Sequence, residues 1–390
     1  MRSTLRFFVG TFAVLGLSWA NFTGAASASD LSLDSRRAAL SALLAEQWEY
    51  NLSVNPEFAS VLGDKRFNDK LSDNSPAAIE ANLQKLSEWK KRFEAIDTTG
   101  FPEQEALNKT LSLRDLNEGL ETAKFKNWEM PVTQFYGIHI QAPSFVKYLS
   151  FETVKDYDDY LARLRQFPRV FDETIALMRQ GIKDGLLPPK ILLEKVAVQS
   201  EGIAKQAAEE SPFFQPFAKF PASIGPADQK RLTEQGRAAI RDLVLPTYVK
   251  FTTFVRDEYA PKGRTEPGVW ALPDGAARYA ALVKSSTTTD MTPEEIHQLG
   301  LREVARIEGE LQKIAVSLGF KDWKALNVSI AANPALHPKS RQEIIDLYAK
   351  YIAQMNEKLP QLFGLLPKAK CEVQAIEEFR EKDASGAEYN

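Results

Sequence analysis

After Ser35 the apolar residues of this 390-residue chain recur at helical spacing almost without interruption. That periodicity predicts a mostly α fold. The plainest stretch is 292–318, where Ile296, Val304, Ile307, Leu311, Ile314 and Leu318 share a row with Gly300. The later spacings alternate three and four, which marks one stripe of a helix and predicts its burial. Residues 340–363 repeat the style through Ile344, Tyr348, Tyr351, Ile352, Met355, Leu359 and Leu362. Further helices are predicted over 36–50, 76–95, 103–124, 153–166, 168–181, 190–208 and 229–258. Pro168 and Pro189 suit first-turn positions, where the missing N–H costs nothing.

The interruptions are equally legible. "SPFFQPFAKFPASIGP" (211–226) carries four prolines and cannot be one helix. Its four phenylalanines need burial, so the segment reads as an ordered arm packed on helices. "NWEMPVTQFYGIHIQAPSF" (127–145) is predicted to be irregular, and "APKGRTEPGVWALPDG" (260–275) a turn-rich connection. The one strand candidate is "CEVQAIEEF" (371–379). In a helical chain it has no evident partner, and an unpaired edge invites aggregation.

The first 28 residues read as a cleaved secretory signal: Arg2 and Arg6, an apolar run from Phe7 to Ala20, then Ala26-Ser27-Ala28. The run is short of the roughly 20 apolar residues that span a bilayer, so no membrane association is expected after cleavage. Removing Arg2 and Arg6 from the 49 basic residues leaves 47 against 52 acidic ones, a net charge near −5. With no dominant basic patch, nucleic acid is not an expected partner. Cys371 is the lone cysteine, so no internal disulfide can form, and an exported chain of this kind fits a periplasmic or secreted location. The mature length exceeds the roughly 250–300 residues at which one core stops growing. Two helical regions are expected, 29–260 and 261–390.

Chemistry is sparse. "TPEEIHQLG" (292–300) sets Glu294 three residues before His297, the spacing of di-iron bundles. Such bundles need a second Glu-x-x-His pair, and neither His139 nor His337 has a Glu at that offset. A zinc helix needs His-Glu-x-x-His, and Leu301 and Pro293 occupy the positions four from His297. Thr292 and Glu295 instead form a capping box with Pro293 at the first helical position. That leaves His297 as a hydrogen-bonded histidine beside the buried stripe. No nucleophile elbow, phosphate loop or dinucleotide fingerprint occurs. Catalytic and metal-binding residues are therefore expected to be absent.

Three stretches carry a resemblance: "NPEFASVLGDKRFNDKLSD" (55–73), "GVWALPDGAARYAALVKSSTTTDMTPEEIHQLGLREVARIEGEL" (268–311) and "EVQAIEEFREKDASGAEY" (372–389). Together they resemble the bacterial domain-of-unknown-function 885 family, grouped with zincin-like metallopeptidases of the gluzincin type. The resemblance implies a multi-helix shell around a cleft, with zinc held by a His-Glu-x-x-His helix downstream of the region matching 372–389. The chain reaches Asn390 before that region. It is expected to be the non-catalytic portion, inactive alone, with no cofactor of its own. Its expected partners are a peptide substrate and the missing C-terminal catalytic part. The alternative is a non-enzymatic helical scaffold that binds a peptide or protein. The resemblance further implies that Trp270, Asp274, Gly275 and Tyr279 lie at a helix start as substrate-binding candidates, with Trp270 and Tyr279 lining the cleft; the alternative is a role in packing and capping alone. There Asp274 would cap the helix and Gly275 would admit a close approach.

Overall fold

A computed structural model describes residues 32–376 and 386–389. The expected signal segment and residues 377–379 of the strand candidate lie outside the described residues. The fold is mostly α, and among the described residues extended pairing is confined to two isolated bridges, Thr133–Tyr136 and Pro189–Arg264. The chain divides into two compact units at Asp290/Met291, beyond the 260/261 boundary expected from the sequence.

The first unit holds α1 (Leu33–Val54), α2 (Pro56–Val61), α3 (Pro76–Glu94), α4 (Glu103–Ala123), α5 (Ile138–Phe145), α6 (Val154–Leu164), α7 (Phe167–Asp184), α8 (Lys190–Ala204), α9 (Gln215–Ala218), α10 (Pro226–Ala239), α11 (Leu245–Phe254) and α12 (Gly275–Thr287). The nine long helices predicted from periodicity are all present, within a few residues of their expected ends. Ser75 starts α3 by accepting from the Ala78 N–H at 3.2 Å. Thr153 and Asp156 form a capping box on α6. Gly185 closes α7 in the left-handed region at φ 72°, a conformation that favours glycine. Pro168 lies in the first turn of α7 as expected, whereas Pro189 stands just before α8.

Two apolar clusters result. The smaller joins α1, α3 and α4 through Leu40, Leu43, Trp89, Phe93 and Leu116. The larger centres on α7, α8 and α11, where Phe171, Leu193, Val196, Tyr248 and Phe251 are fully buried. The 211–226 arm packs here as its phenylalanines require. Phe213, Phe214 and Phe217 are buried, Phe213 meets Phe167 edge-on at 5.1 Å, and Tyr160 donates its hydroxyl to the Phe213 carbonyl at 3.0 Å. Helices α10 and α11 are continuous through a π turn at Ile240–Val244. Pro246 stands two residues beyond the turn, and its missing N–H removes an i→i−4 bond at that place.

Two expectations change in this unit. The segment 127–145 is not irregular throughout, because Gly137 (φ 131°) turns the chain into α5 and Pro143 is accommodated inside that helix. The unit also extends past residue 260 because α12 packs on α4. Ser285 donates to Glu118 at 3.3 Å, and Arg278 reaches back to Phe125 and Asn127.

The second unit holds α13 (Pro293–Ser317), α14 (Trp323–Ala332) and α15 (Arg341–Leu362). The Thr292–Glu295 capping box forms as read from the sequence, with the Glu295 N–H donating to Thr292 at 3.2 Å and the Thr292 N–H to Glu295 at 2.7 Å. Helix α14 returns onto α13 at Gln312, which donates to the Lys321 carbonyl at 3.0 Å in the turn and accepts from the Trp323 N–H at 3.3 Å. The predicted burial of the α13 stripe does not occur: Val304, Ile307, Leu311, Ile314 and Leu318 are 38–60% exposed, and Ala315 is this unit's one buried hydrophobic residue among those described. Tyr348, Tyr351 and Met355 of α15 are exposed too. Three helices with one short hairpin cannot cover these rows. The strand expected over 371–379 is not formed in its described part, 371–376, which has no neighbouring strand among the described residues.

Candidate functional site

The four residues singled out by resemblance fall where the 260–275 connection enters α12. Trp270 lies in the turn Val269–Ala271 and is 70% exposed. A Cβ on Gly275 would stand 2.6 Å from the Trp270 Cα and carbonyl oxygen and from the Val269 oxygen, so these two backbones touch. The close approach at Gly275 is therefore made by the chain itself. Asp274 does not cap α12. It sits in the left-handed region at φ 55°, and no side-chain capping bond forms. Its backbone oxygen instead accepts from the Arg278 N–H at 2.9 Å. Tyr279 is half-exposed, one residue beyond the buried Arg278.

Arg278 is the buried group at this turn that sequence reasoning missed. It is 5% exposed, and it donates from Nε to the Pro273 carbonyl at 2.7 Å, from Nη1 to Asn127 Oδ1 at 2.9 Å and from Nη2 to the Phe125 carbonyl at 2.6 Å. Its guanidinium also lies 5.1 Å from the Phe125 ring centre. Burial lowers its pKa, against the pull of the Asp274 and Glu129 carboxyls. The only available signal was an arginine four residues into a helix that otherwise reads as small and apolar.

The turn that Arg278 holds is charged. Lys126 adopts the left-handed conformation at φ 48°, and its Nζ lies 2.7 Å from Asp184 on α7 and 3.9 Å from Glu129. Glu129 is 3% exposed, and its Oε2 has no hydrogen-bond partner. Burial raises its pKa, and the nearby Asp184 carboxylate adds to the effect. Gly181 lets this turn close on α7, for a Cβ there would stand 2.5 Å from the Glu129 carbonyl oxygen. Between this turn and α12 lies a cavity of about 280 Å3, lined by Phe125, Asn127, Met130, Leu272, Arg278 and Leu282 among others.

The histidines do not assemble. His139 is buried in α5, where its Nε2 meets Gln199 Oε1 at 3.1 Å, its ring stacks on Phe251 and Nδ1 is left without a partner. His297 is exposed on α13, and no ring hydrogen bond is formed among the described residues, contrary to expectation. His337 meets the Ala331 carbonyl at 2.8 Å. Among the described residues no three His, Cys, Asp or Glu side chains come together as metal ligands would.

The chain is similar to a crystal structure described as a "putative lipoprotein" from Colwellia psychrerythraea, with a TM-score of 0.81 and 22% identity. The match covers 92% of this chain and 65% of that one, and at this identity it is a likeness of fold. No curated protein matches the sequence. Residues 56–390, which take in the Arg278 turn, the cavity and the whole second unit, match the family described as bacterial protein of unknown function (DUF885), and the chain belongs to that family.

Proposed function

We propose that this chain is the helical, non-catalytic portion of an exported zinc-metallopeptidase-like protein, and that it cleaves no peptide by itself. The observation that carries the reading is the exposed apolar face of α13, whose row from Val304 to Leu318 has the spacing of a buried seam but is left uncovered by the described residues. A helix of this kind gains most of its stability from tertiary packing, so a further polypeptide is expected to cover it. The likeness that spans nearly all of this chain but 65% of the Colwellia protein supports the same reading. Arg278 braces the backbone of Phe125 and Pro273 and Lys126 pairs with Asp184, which suits a supporting role. The N-terminal layout, and the absence of any described helix long and apolar enough to cross a membrane, support export without a spanning helix.

The test is a peptidase assay of the purified chain on mixed peptides, with and without a chelator, beside a zinc determination. No cleavage and less than one zinc per chain are expected. Chelator-sensitive cleavage would overturn the proposal. The same exposed row also favours a second reading, a non-enzymatic scaffold for a helical partner. It gains if the longer forms of the protein likewise fail to cleave peptides.

A further inference from the structure

The geometry points to a binding site for a carboxylate bearing an apolar side chain, in the cavity of about 280 Å3 beside Arg278. The argument begins with charge. The Arg278 guanidinium is nearly excluded from solvent, yet all three of its acceptors are neutral: two carbonyls and an amide oxygen. No carboxylate is bonded to it, and Asp274 acts only through the field; a buried cation without a bonded counter-ion is costly, and carbonyl dipoles return only part of the lost hydration. Glu129, the buried acid nearby, is held toward its neutral form and offers little compensation. A guanidinium has five N–H donors, so two are left over, one on each terminal nitrogen.

Arg163 shows what differs. It is also fully buried and also bonded to neutral oxygens, on Lys70, Pro56, Ser60 and Phe67, and its Nη1 is left without a partner among the described residues. It staples the 56–70 segment, with the Phe145 ring against its guanidinium at 5.1 Å. Arg278 instead lines a cavity. Beside it, Asn127 accepts from Arg278 through Oδ1, which directs its amide donors elsewhere, and it too lines the cavity. The rest of the wall is largely apolar, with Phe125, Met130, Leu272 and Leu282. A guanidinium fits a carboxylate, and the apolar wall fits one aliphatic side chain attached to it. The volume lies near the lower end of known ligand pockets, which suits a single amino-acid residue. Two sources offer this chemistry, a free N-acylated amino acid and the C-terminus of a peptide.

Calorimetric titration of the full chain distinguishes them. The probes are N-acetyl-leucine, N-acetyl-leucinamide, and a tripeptide ending in leucine with a free or an amidated terminus. Binding of the free carboxylates, at least tenfold tighter than of the matching amides, is expected. Preference for the tripeptide acid over N-acetyl-leucine assigns a peptide terminus, and the reverse assigns a free acid. Ala281→Trp, which fills the cavity, and Leu282→Glu, which sets a negative charge on its exposed wall, should each weaken the acids at least tenfold while leaving the unfolding temperature near wild type. The proposal is overturned if no acid binds at millimolar concentration, if the amides bind equally, or if both variants bind as the parent does. None of these outcomes depends on whether the longer protein is a peptidase.

Discussion

His139 carries the clearest pH signature of any single residue. Burial pushes its imidazole down to about 4, with the Gln199 amide opposing weakly. Its unfolded value is near 6.5, so between those limits the unfolded chain binds a proton that the folded chain refuses. The stability due to the neutral ring is therefore fully present above pH 6.5 and is lost as pH falls toward 4. The loss amounts to about 3 kcal/mol by linkage. Glu129 works in the opposite sense, since its raised pKa favours the folded state as pH falls. Urea unfolding of the parent and of His139→Phe separates the two. The variant is expected to lose most of the slope between pH 6.5 and 4, and an unchanged slope would show that His139 is not buried as a neutral ring. Glycines supply a second comparison. Gly275→Ala places a methyl against immovable backbone and should cost about 1–3 kcal/mol. Gly300→Ala has nothing within 4 Å and should stabilise α13 by up to about 1 kcal/mol. Thermal unfolding checks both signs.

At the scale of elements, helix identity was legible because it rests on local spacing, capping and proline. Thr292 with Glu295, and Pro168 in α7, could be read without knowing any long-range contact. Short helices were less legible: α5 and α14 each lack a long apolar period, and α5 follows a glycine at positive φ where a Cβ would meet Val132 and His139. The site was less legible still. Trp270, Asp274, Gly275 and Tyr279 were singled out by resemblance along one continuous segment, whereas Arg278 bonds to oxygens some 150 residues away in sequence. Arg163 poses the same problem, because its acceptors lie in the 56–70 segment. Each carbonyl it leaves unsatisfied costs about 1–3 kcal/mol. Arg163→Met is thus expected to lower stability by more than about 3 kcal/mol and to open the 56–70 segment to protease before the rest of the chain. Cleavage starting elsewhere, with that segment still protected, would remove the staple from the account.

At the scale of the whole molecule, periodicity predicted an apolar stripe on α13 but could not say what covers it, since spacing identifies a face and not its neighbour. The two units differ sharply in this respect. Phe213 is fully enclosed among Phe167, Tyr160 and Tyr248, while Ile314 is half exposed on a helix whose unit has almost no core. Phe213→Ala removes a ring from a packed cluster and should cost about 3–5 kcal/mol. Ile314→Glu exchanges one exposed helix former for another and should change the stability of this chain by less than about 0.5 kcal/mol. If a further polypeptide covers α13 in a longer form of the protein, the same substitution buries a carboxylate there and should cost at least about 2 kcal/mol. Denaturant unfolding of both forms reads the difference directly. A large cost already in this chain would mean that the row is covered here. A negligible cost in both would leave α13 a solvent-facing helix and remove the main support for a missing partner.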